Sequence, residues 1–473
     1  MNSSSPAISA SRYDRSSCQS GIVHLGLGAF HRAHQAAYID DYMDQSGDLR
    51  WGIAAVNLRG ADTAQFKAVE EDCNRHDGYL LKTYSSDGDE TLRRVRSHVQ
   101  FADWSTSKDE SEGLLSLPSV HLVTITVTES GYYTGPDGQL NLDDDPTIKS
   151  EVSGTANETV FAYLRAALAK RSATTGAPLT IACCDNIRQN GKMLRAALLA
   201  YLQACNEGEL KSWVENNVAF PCSMVDRITP RSPAELITEL SAATGESVSA
   251  PVMSEDFSQW VLESSSVAEM PDLAKAGVIV TTDVDPYEET KIRVLNGGHT
   301  ALAYMAALEG IETFDEAMRV PHLLEHFENF ETSEVLKALT LDLPFSKEEY
   351  LQQIIQRFGN VAIGDTVARI CADGMAKFAI FIRPTLQGCL EQGTMPIHAI
   401  RSIASWYVFA LHVDAGKIPF KYVEPSWNDL KAMLGTTTFE TDRQLWGELP
   451  ASYPEFSKTL RREIVEMESR WPV

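Results

Sequence analysis

GIVHLGLGAF, residues 21–30, decides the fold: an apolar run of strand length ends at Gly26-Leu27-Gly28-Ala29-Phe30, and a helix-period pattern follows over 31–43. A second apolar run at 51–57 completes a strand–helix–strand unit of the size that two parallel neighbours need. Glycines at such a turn let the chain reverse tightly. They also let an anion meet the free N–H groups and the positive dipole end of the helix start. The position is that of a dinucleotide-binding fingerprint, with His31 standing where its third glycine would be. A strand-to-helix turn also needs glycine for packing alone, so the motif by itself leaves both readings open.

Further apolar runs at 79–84, 121–127, 179–184, 218–222 and 277–282 read as strands, with helical patterns between several of them, as at 160–171 and 192–205. Strands alternating with helices predict a mostly parallel sheet covered on both faces. After Pro286 the texture changes. The segments near 296–309, 333–342, 347–358, 375–392, 396–412 and 455–469 read as helices, with few strand candidates. The expected organisation is α/β: a flexible arm at 1–20, a Rossmann-type dinucleotide-binding domain at 21–285 and a mainly α-helical substrate domain at 286–473.

A chain of 473 residues with 44% hydrophobic content is ample for two domains and ordinary for a soluble protein. The net charge of −24 argues against a nucleic-acid surface and against adsorption to anionic lipid, and favours solubility. No apolar run has the length of a membrane span, and no basic-then-apolar segment opens the chain. The eight cysteines are scattered without a CxxC pair and read as reduced thiols of a cytoplasmic protein.

Chemistry concentrates in KIRVLNGGHTALAY from Lys291: a possible base, an amide donor and an imidazole lie within nine residues of what reads as one helix. At roughly 100° per residue, Asn296 falls about 140° and His299 about 80° around from Lys291, so all three can border one concave site. Gly297 and Gly298 between them make sense where a ligand approaches the backbone closely. A solvated Lys, a helix-start Asn and a core His are the plainer alternative. Asn186 follows the 179–184 run, where an open sheet places ligands, and reads equally as a turn or cap residue. Arg369 and Lys377 share a helical face if Gly374 does not break the register, and are otherwise ordinary surface cations. At the end of the 51–57 run no carboxylate stands ready for an NAD ribose; Arg59 is nearby, which leaves the cofactor open and admits NADP. His322, Glu325 and His326 match HxxEH, a zinc-hydrolase pattern without an identifiable third ligand.

Taken together, HLGLGAFHRAHQA from His24, TVTESGYY from Thr126, CDNIRQNGK from Cys184, MVDRITP from Met224, EDFSQWV from Glu255, DPYEETKIRVLNGGHTALAY from Asp285 and DGMAKF from Asp373 resemble the long-chain polyol (mannitol) dehydrogenase family, the group of mannitol 2-dehydrogenase, arabinitol 4-dehydrogenase and fructuronate reductase. The resemblance spans most of the chain. It implies a metal-independent oxidoreductase that transfers a hydride between NAD, or NADP, and a polyol or ketose substrate, as a monomer or weak oligomer. It makes Lys291 the catalytic base, Asn186 and Asn296 the donors to the substrate oxygen, and His299 a positioning group. Arg369, Lys377 and Asp226 become substrate contacts, and Glu288 a carboxylate on the proton route. Gly26, Gly28 and Phe30 fall in the dinucleotide loop. Gly60-Ala61 stand where NAD-preferring relatives carry acidic residues. A free lysine, with a pKa of about 10.4, is a poor base near neutrality, so the chemistry expects burial and a nearby nicotinamide cation to lower it. Three alternatives stand beside this reading: a hexuronate reductase acting on fructuronate or tagaturonate by the same mechanism, a zinc hydrolase at HxxEH, and a catalytically silent dinucleotide-binding regulator.

Overall fold

The structure, a computed structural model, describes residues 7–135 and 138–473 and divides into two compact units, 1–85 with 89–285 and 86–88 with 286–473. In the first unit six strands run parallel in the spatial order His98–Asp103, Gly52–Asn57, Ser20–Leu25, Leu122–Ile125, Leu179–Cys183, Val218–Ala219. Numbered along the chain this is the doubly wound order 3-2-1-4-5-6, which reverses between Ser20–Leu25 and Leu122–Ile125. Ligands bind beyond the strand ends at such a switch point. The four inner strands are buried on both faces, and the period-two alternation sorts their side chains into two cores. Val23, Leu25, Val56, Val123 and Ile125 pack into one, while Ile22, Ile53, Ala55 and Leu122 pack into the other.

Two smaller sheets accompany this one. Tyr79–Tyr84, expected within the parallel sheet, instead pairs antiparallel with Glu90–Val95 in a separate four-stranded sheet that also holds Ile8–Ala10 and Val252–Glu255. The partner strand ETLRRV has too many charges to show an apolar signal. The expected strand 218–222 stops at Ala219, because Pro221 cannot donate to a ladder; Ser223–Asp226 opens the third sheet with Gln259–Glu263 and Ile279–Thr281. The 1–20 segment is not a loose arm in its described part; residues 1–6 lie outside the described residues. Ile8–Ala10 is a strand, the Ser11 and Tyr13 hydroxyls donate to buried Asp40 at 3.0 and 2.5 Å, and Arg96 donates to the Ser11 and Tyr13 carbonyls. These tethers are distant in sequence, so a small, polar composition could not reveal them.

The second unit is helical around a single core in which Trp406 of the Ile397–Asp414 helix stacks on Phe378 at 4.5 Å. Three stretches leave α geometry for π geometry: Lys291–Asn296, Glu331–Val335 and Phe378–Ile382, and the latter two both touch the first. Such insertions widen a helical turn and occur frequently at functional sites. Among the described residues no helix is long and apolar enough to cross a membrane. The eight cysteines form no disulfide.

Arg171 shows how the first unit closes its back edge. Fully buried, it donates to the carbonyls of Leu115, Val120, Ala177 and Pro178 at 2.5–3.0 Å. Arg171→Met keeps the aliphatic stem and strands four carbonyls. Chemical denaturation should show it less stable by ~3 kcal/mol or more, and a loss below ~1 kcal/mol would show that water replaces the guanidinium.

Candidate active site

At the switch point the first strand ends on Gly26, whose φ of +96° only glycine adopts readily and whose added Cβ would sit 2.0 Å from the Thr126 carbonyl. The Gly26 carbonyl accepts from His24 Nε2 at 2.8 Å and from the Thr126 hydroxyl at 2.9 Å, which fixes the turn. His24 Nδ1 in turn meets the Thr124 hydroxyl at 2.8 Å. His31 fills the third glycine position by stacking on His24, ring centroids 3.2 Å apart, with its Nε2 3.0 Å from that of buried His98. Burial pushes His24 down to about 3, and His31 and His98 well below the ordinary imidazole range, so the stack is neutral. A flat aromatic pair thus replaces the close helix–strand contact that glycine usually permits.

A cleft of about 290 Å³ opens beside this turn, lined by Gly26, Gly28 and Arg59 among others. Ala29 and Phe30 lie outside its lining; Phe30 stacks on His34 at 4.9 Å. A Cβ on Gly28 would meet nothing within 4 Å, so that glycine leaves space no protein atom uses. Thr126, Thr128, Ser130, Tyr133 and Glu158 also line the cleft. No single residue type marks them, although their position beyond the Leu122–Ile125 strand could have. Arg59 Nε donates to the Asp62 carboxylate at 2.8 Å, both side chains largely exposed. The glycine turn, the unused space at Gly28 and this exposed cation suit a phosphate-bearing dinucleotide.

Two other expected residues stand at strand ends of the same unit. Asn186 is exposed just beyond Leu179–Cys183, and Asp226 is buried at the end of Ser223–Asp226. Asn190, which the sequence did not single out, ties the first of these ends to the start of Ser223–Asp226. Its amide donates to the Asp185 and Ser223 carbonyls at 3.1 and 2.9 Å, and its oxygen accepts the Ser223 N–H at 2.9 Å.

In the second unit Lys291 and Asn296 begin and end one π segment, in which the Gly297 N–H reaches back five residues to the Ile292 carbonyl. Residues five apart therefore come closer in azimuth than they do in an α-helix. Lys291 and Asn296 lie closer in azimuth than the 140° expected of an α-helix. Lys291 and Glu288 are buried and Asn296 is half-buried. Gly298 is needed for packing: its Cβ would come within 2.7 Å of the Phe327 ring and 2.8 Å of the Glu331 carboxylate. His299 stacks on Phe358 at 3.9 Å and meets Phe314 edge-on at 4.6 Å. Burial holds its imidazole well below the ordinary range, and Arg369, Lys377 and Arg357 press the same way. Arg369 and Lys377 do not share a helix, since Val367–Ile370 and Gly374–Lys377 are separate turns. They nonetheless converge beside His299. Lys377 is lowered by burial and then by Arg369; its Nζ donates to the Ile370 carbonyl at 2.7 Å, while Arg369 is paired with Asp365. Arg357 was missed. Its place on the apolar face of Lys347–Phe358, between Ile354 and Phe358, was the available signal.

HxxEH does not assemble into a ligand set. His322 Nε2 is exposed against Glu309 at 2.8 Å, whereas His326 Nε2 is buried against the Ser402 hydroxyl at 2.9 Å. Helical i,i+4 spacing put them on one face, but the packing gave each its own partner.

Residues 20–275 match the family of the mannitol dehydrogenase Rossmann domain, and residues 283–446 that of the mannitol dehydrogenase C-terminal domain. D-arabinitol 4-dehydrogenase of Ralstonia nicotianae is 34% identical over 90% of this chain and 92% of its own length. Polyol:NADP oxidoreductase of Gluconobacter oxydans is 35% identical over 97% and 95%. The solved Pseudomonas fluorescens mannitol 2-dehydrogenase, a ternary complex with NAD and D-mannitol, superposes with a TM-score of 0.85 at 30% identity, covering 98% of this chain and 95% of that one.

The space at Gly28 gives a test of the cleft. Gly28→Ala should leave the melting temperature nearly unchanged, since the methyl meets no protein atom, and should weaken binding of NADH or NADPH by about tenfold. Undiminished affinity would show that the bound ligand stays away from this turn.

Proposed function

The chain belongs to the mannitol dehydrogenase family, and from that membership we propose that it transfers a hydride between NAD(P) and a sugar alcohol/ketose pair of the mannitol/fructose or arabinitol/xylulose type, without a metal. The observation that carries the reading is the buried Lys291 at one end of the π segment and the amide of Asn296 at the other. When bound, the nicotinamide accepts or supplies the hydride. Gly26, Gly28 and Arg59 hold the cofactor in the cleft of the first unit.

The chain's own groups handle the oxygen and its proton. Lys291 takes the hydroxyl proton in oxidation and returns it in reduction, a task for a general base that is shielded from water. The amides of Asn186 and Asn296 donate to the substrate oxygen as negative charge develops on it, in the manner of an oxyanion hole. Glu288, buried one helical turn before Lys291, passes the proton onward. Arg369, Lys377 and Asp226 meet the remaining hydroxyls, and neutral His299, wedged between Phe314 and Phe358, orients the substrate without adding charge. One observation favours the second reading, a hexuronate reductase: Arg357, Arg369 and Lys377 concentrate positive charge around His299, as a substrate carboxylate would require.

Lys291→Ala should lower kcat by a factor of roughly 10² to 10⁴ and leave the cofactor dissociation constant within about twofold. Near wild-type turnover would remove Lys291 from the mechanism. For the cofactor, Arg59→Asp should shift the NADP-to-NAD ratio of kcat/KM by about tenfold, ~1.4 kcal/mol, away from NADP. An unchanged ratio would show that Arg59 does not read the ribose phosphate.

A further inference from the structure

Asp185 lies two residues past the Leu179–Cys183 strand, immediately before Asn186, and hydride transfer as proposed leaves it unused. Its carboxylate accepts the Val127 N–H at 2.9 Å, the Thr128 N–H at 3.2 Å and the Tyr132 hydroxyl at 2.7 Å. All three donors belong to the loop beyond Leu122–Ile125, whose Val127, Thr128, Ser130, Gly131 and Tyr133 line the cleft. That loop is strained: Thr128 has φ +69° and Tyr133 φ +51°. A β-branched residue in that region persists only where its surroundings enforce it. Buried Cys183 adds a fourth tie, its thiol reaching the Tyr132 oxygen at 3.0 Å.

We propose that Asp185 is a positioning residue for the cofactor: its ionised carboxylate holds the strained 127–133 loop in its cleft-lining shape, and protonation releases it. This rests on the reading that a nicotinamide dinucleotide occupies the cleft. An ionised carboxylate offers only acceptors to three donors; once protonated, it sets a fourth donor among them. The titratable groups facing it are Glu129, Tyr132, Cys183 and Cys184. Burial raises the last three, so they stay protonated. Burial also pushes the Asp185 carboxyl from 3.8 up to about 6, with Glu129 adding to the rise and the hydrogen bonds opposing it. A folded-state value above the unfolded one means that this group's contribution to stability is full below about pH 4 and is lost as the pH rises through about 6. The loop tether runs the other way, intact above that range and lost below it. Stability and cofactor affinity should therefore move in opposite directions.

The test is NADH and NADPH binding by fluorescence from about pH 5 to pH 8, on the wild type and Asp185→Asn, with melting temperatures for both. The wild-type dissociation constant should rise by roughly tenfold as the pH falls from about 7.5 to 5. Asp185→Asn should bind weakly by a similar factor at pH 7.5, show a flat profile, and melt no lower than wild type. Tyr132→Phe, which deletes one donor, should keep a pH-dependent profile with its midpoint moved upward. A flat wild-type profile, a variant that tracks the wild type, or a variant that loses fold but not affinity would each overturn the proposal. A wild type that binds neither cofactor at any pH would instead overturn the reading of the cleft on which the proposal rests.

Discussion

The first unit depends on how closely two backbones approach at Gly26. No side chain fits there, because a Cβ would stand 2.0 Å from the Thr126 carbonyl, and that contact draws the ends of Ser20–Leu25 and Leu122–Ile125 together where the strand order reverses. The Gly26 carbonyl, turned out of the strand, is held by His24 and Thr126; His24 is held by Thr124 and covered by His31. The cleft exists because the chain leaves both strands at this point. Its walls include the two segments that emerge from these strand ends, the glycine turn and the 127–133 loop, joined by Arg59 beyond Gly52–Asn57 and by Glu158.

The second unit solves a different problem, which is to bring Lys291 and Asn296 together on a helix whose regular period would separate them. A π insertion brings Lys291 and Asn296 toward one azimuth, and Gly298 immediately after it lets Phe327 and Glu331 press against the same helix. The other two π segments pack on the first, so the irregular backbone is supported by irregular neighbours. Around His299 the packing is aromatic, and burial together with Arg369, Lys377 and Arg357 keeps the imidazole neutral, while Asp365 balances Arg369.

What the sequence revealed was local. The apolar run before Gly26 and the helix period after it defined the turn, and the Lys291, Asn296, His299 spacing pointed to one element. The change of texture after Pro286 reflected a real change from sheet to helix. What it concealed was long-range or depended on exact backbone geometry. The π turn has no composition signal, so the azimuths came out wrong. Glu90–Val95 and Ile8–Ala10 pair through backbone groups beneath polar side chains, and a polar sequence cannot advertise that. Nothing local marks Asp185, whose partners lie more than fifty positions away. Arg357 was an outlier on an apolar helix face, a signal that was legible but overlooked. HxxEH misled in the opposite way, since a correct helical spacing carried no shared partner.

Hydride exchange between a nicotinamide and a sugar carbonyl without a metal is the activity proposed for this chain. The measurement that meets it most directly follows reduced-nicotinamide absorbance, with NADH and NADPH separately and EDTA throughout, over a panel of ketoses and hexuronates. Fructose or a pentulose should oxidise the reduced cofactor, undiminished by the chelator. Turnover confined to fructuronate or tagaturonate would keep the mechanism and change the substrate. Silence with every sugar, in a protein that binds the cofactor, would rule that activity out.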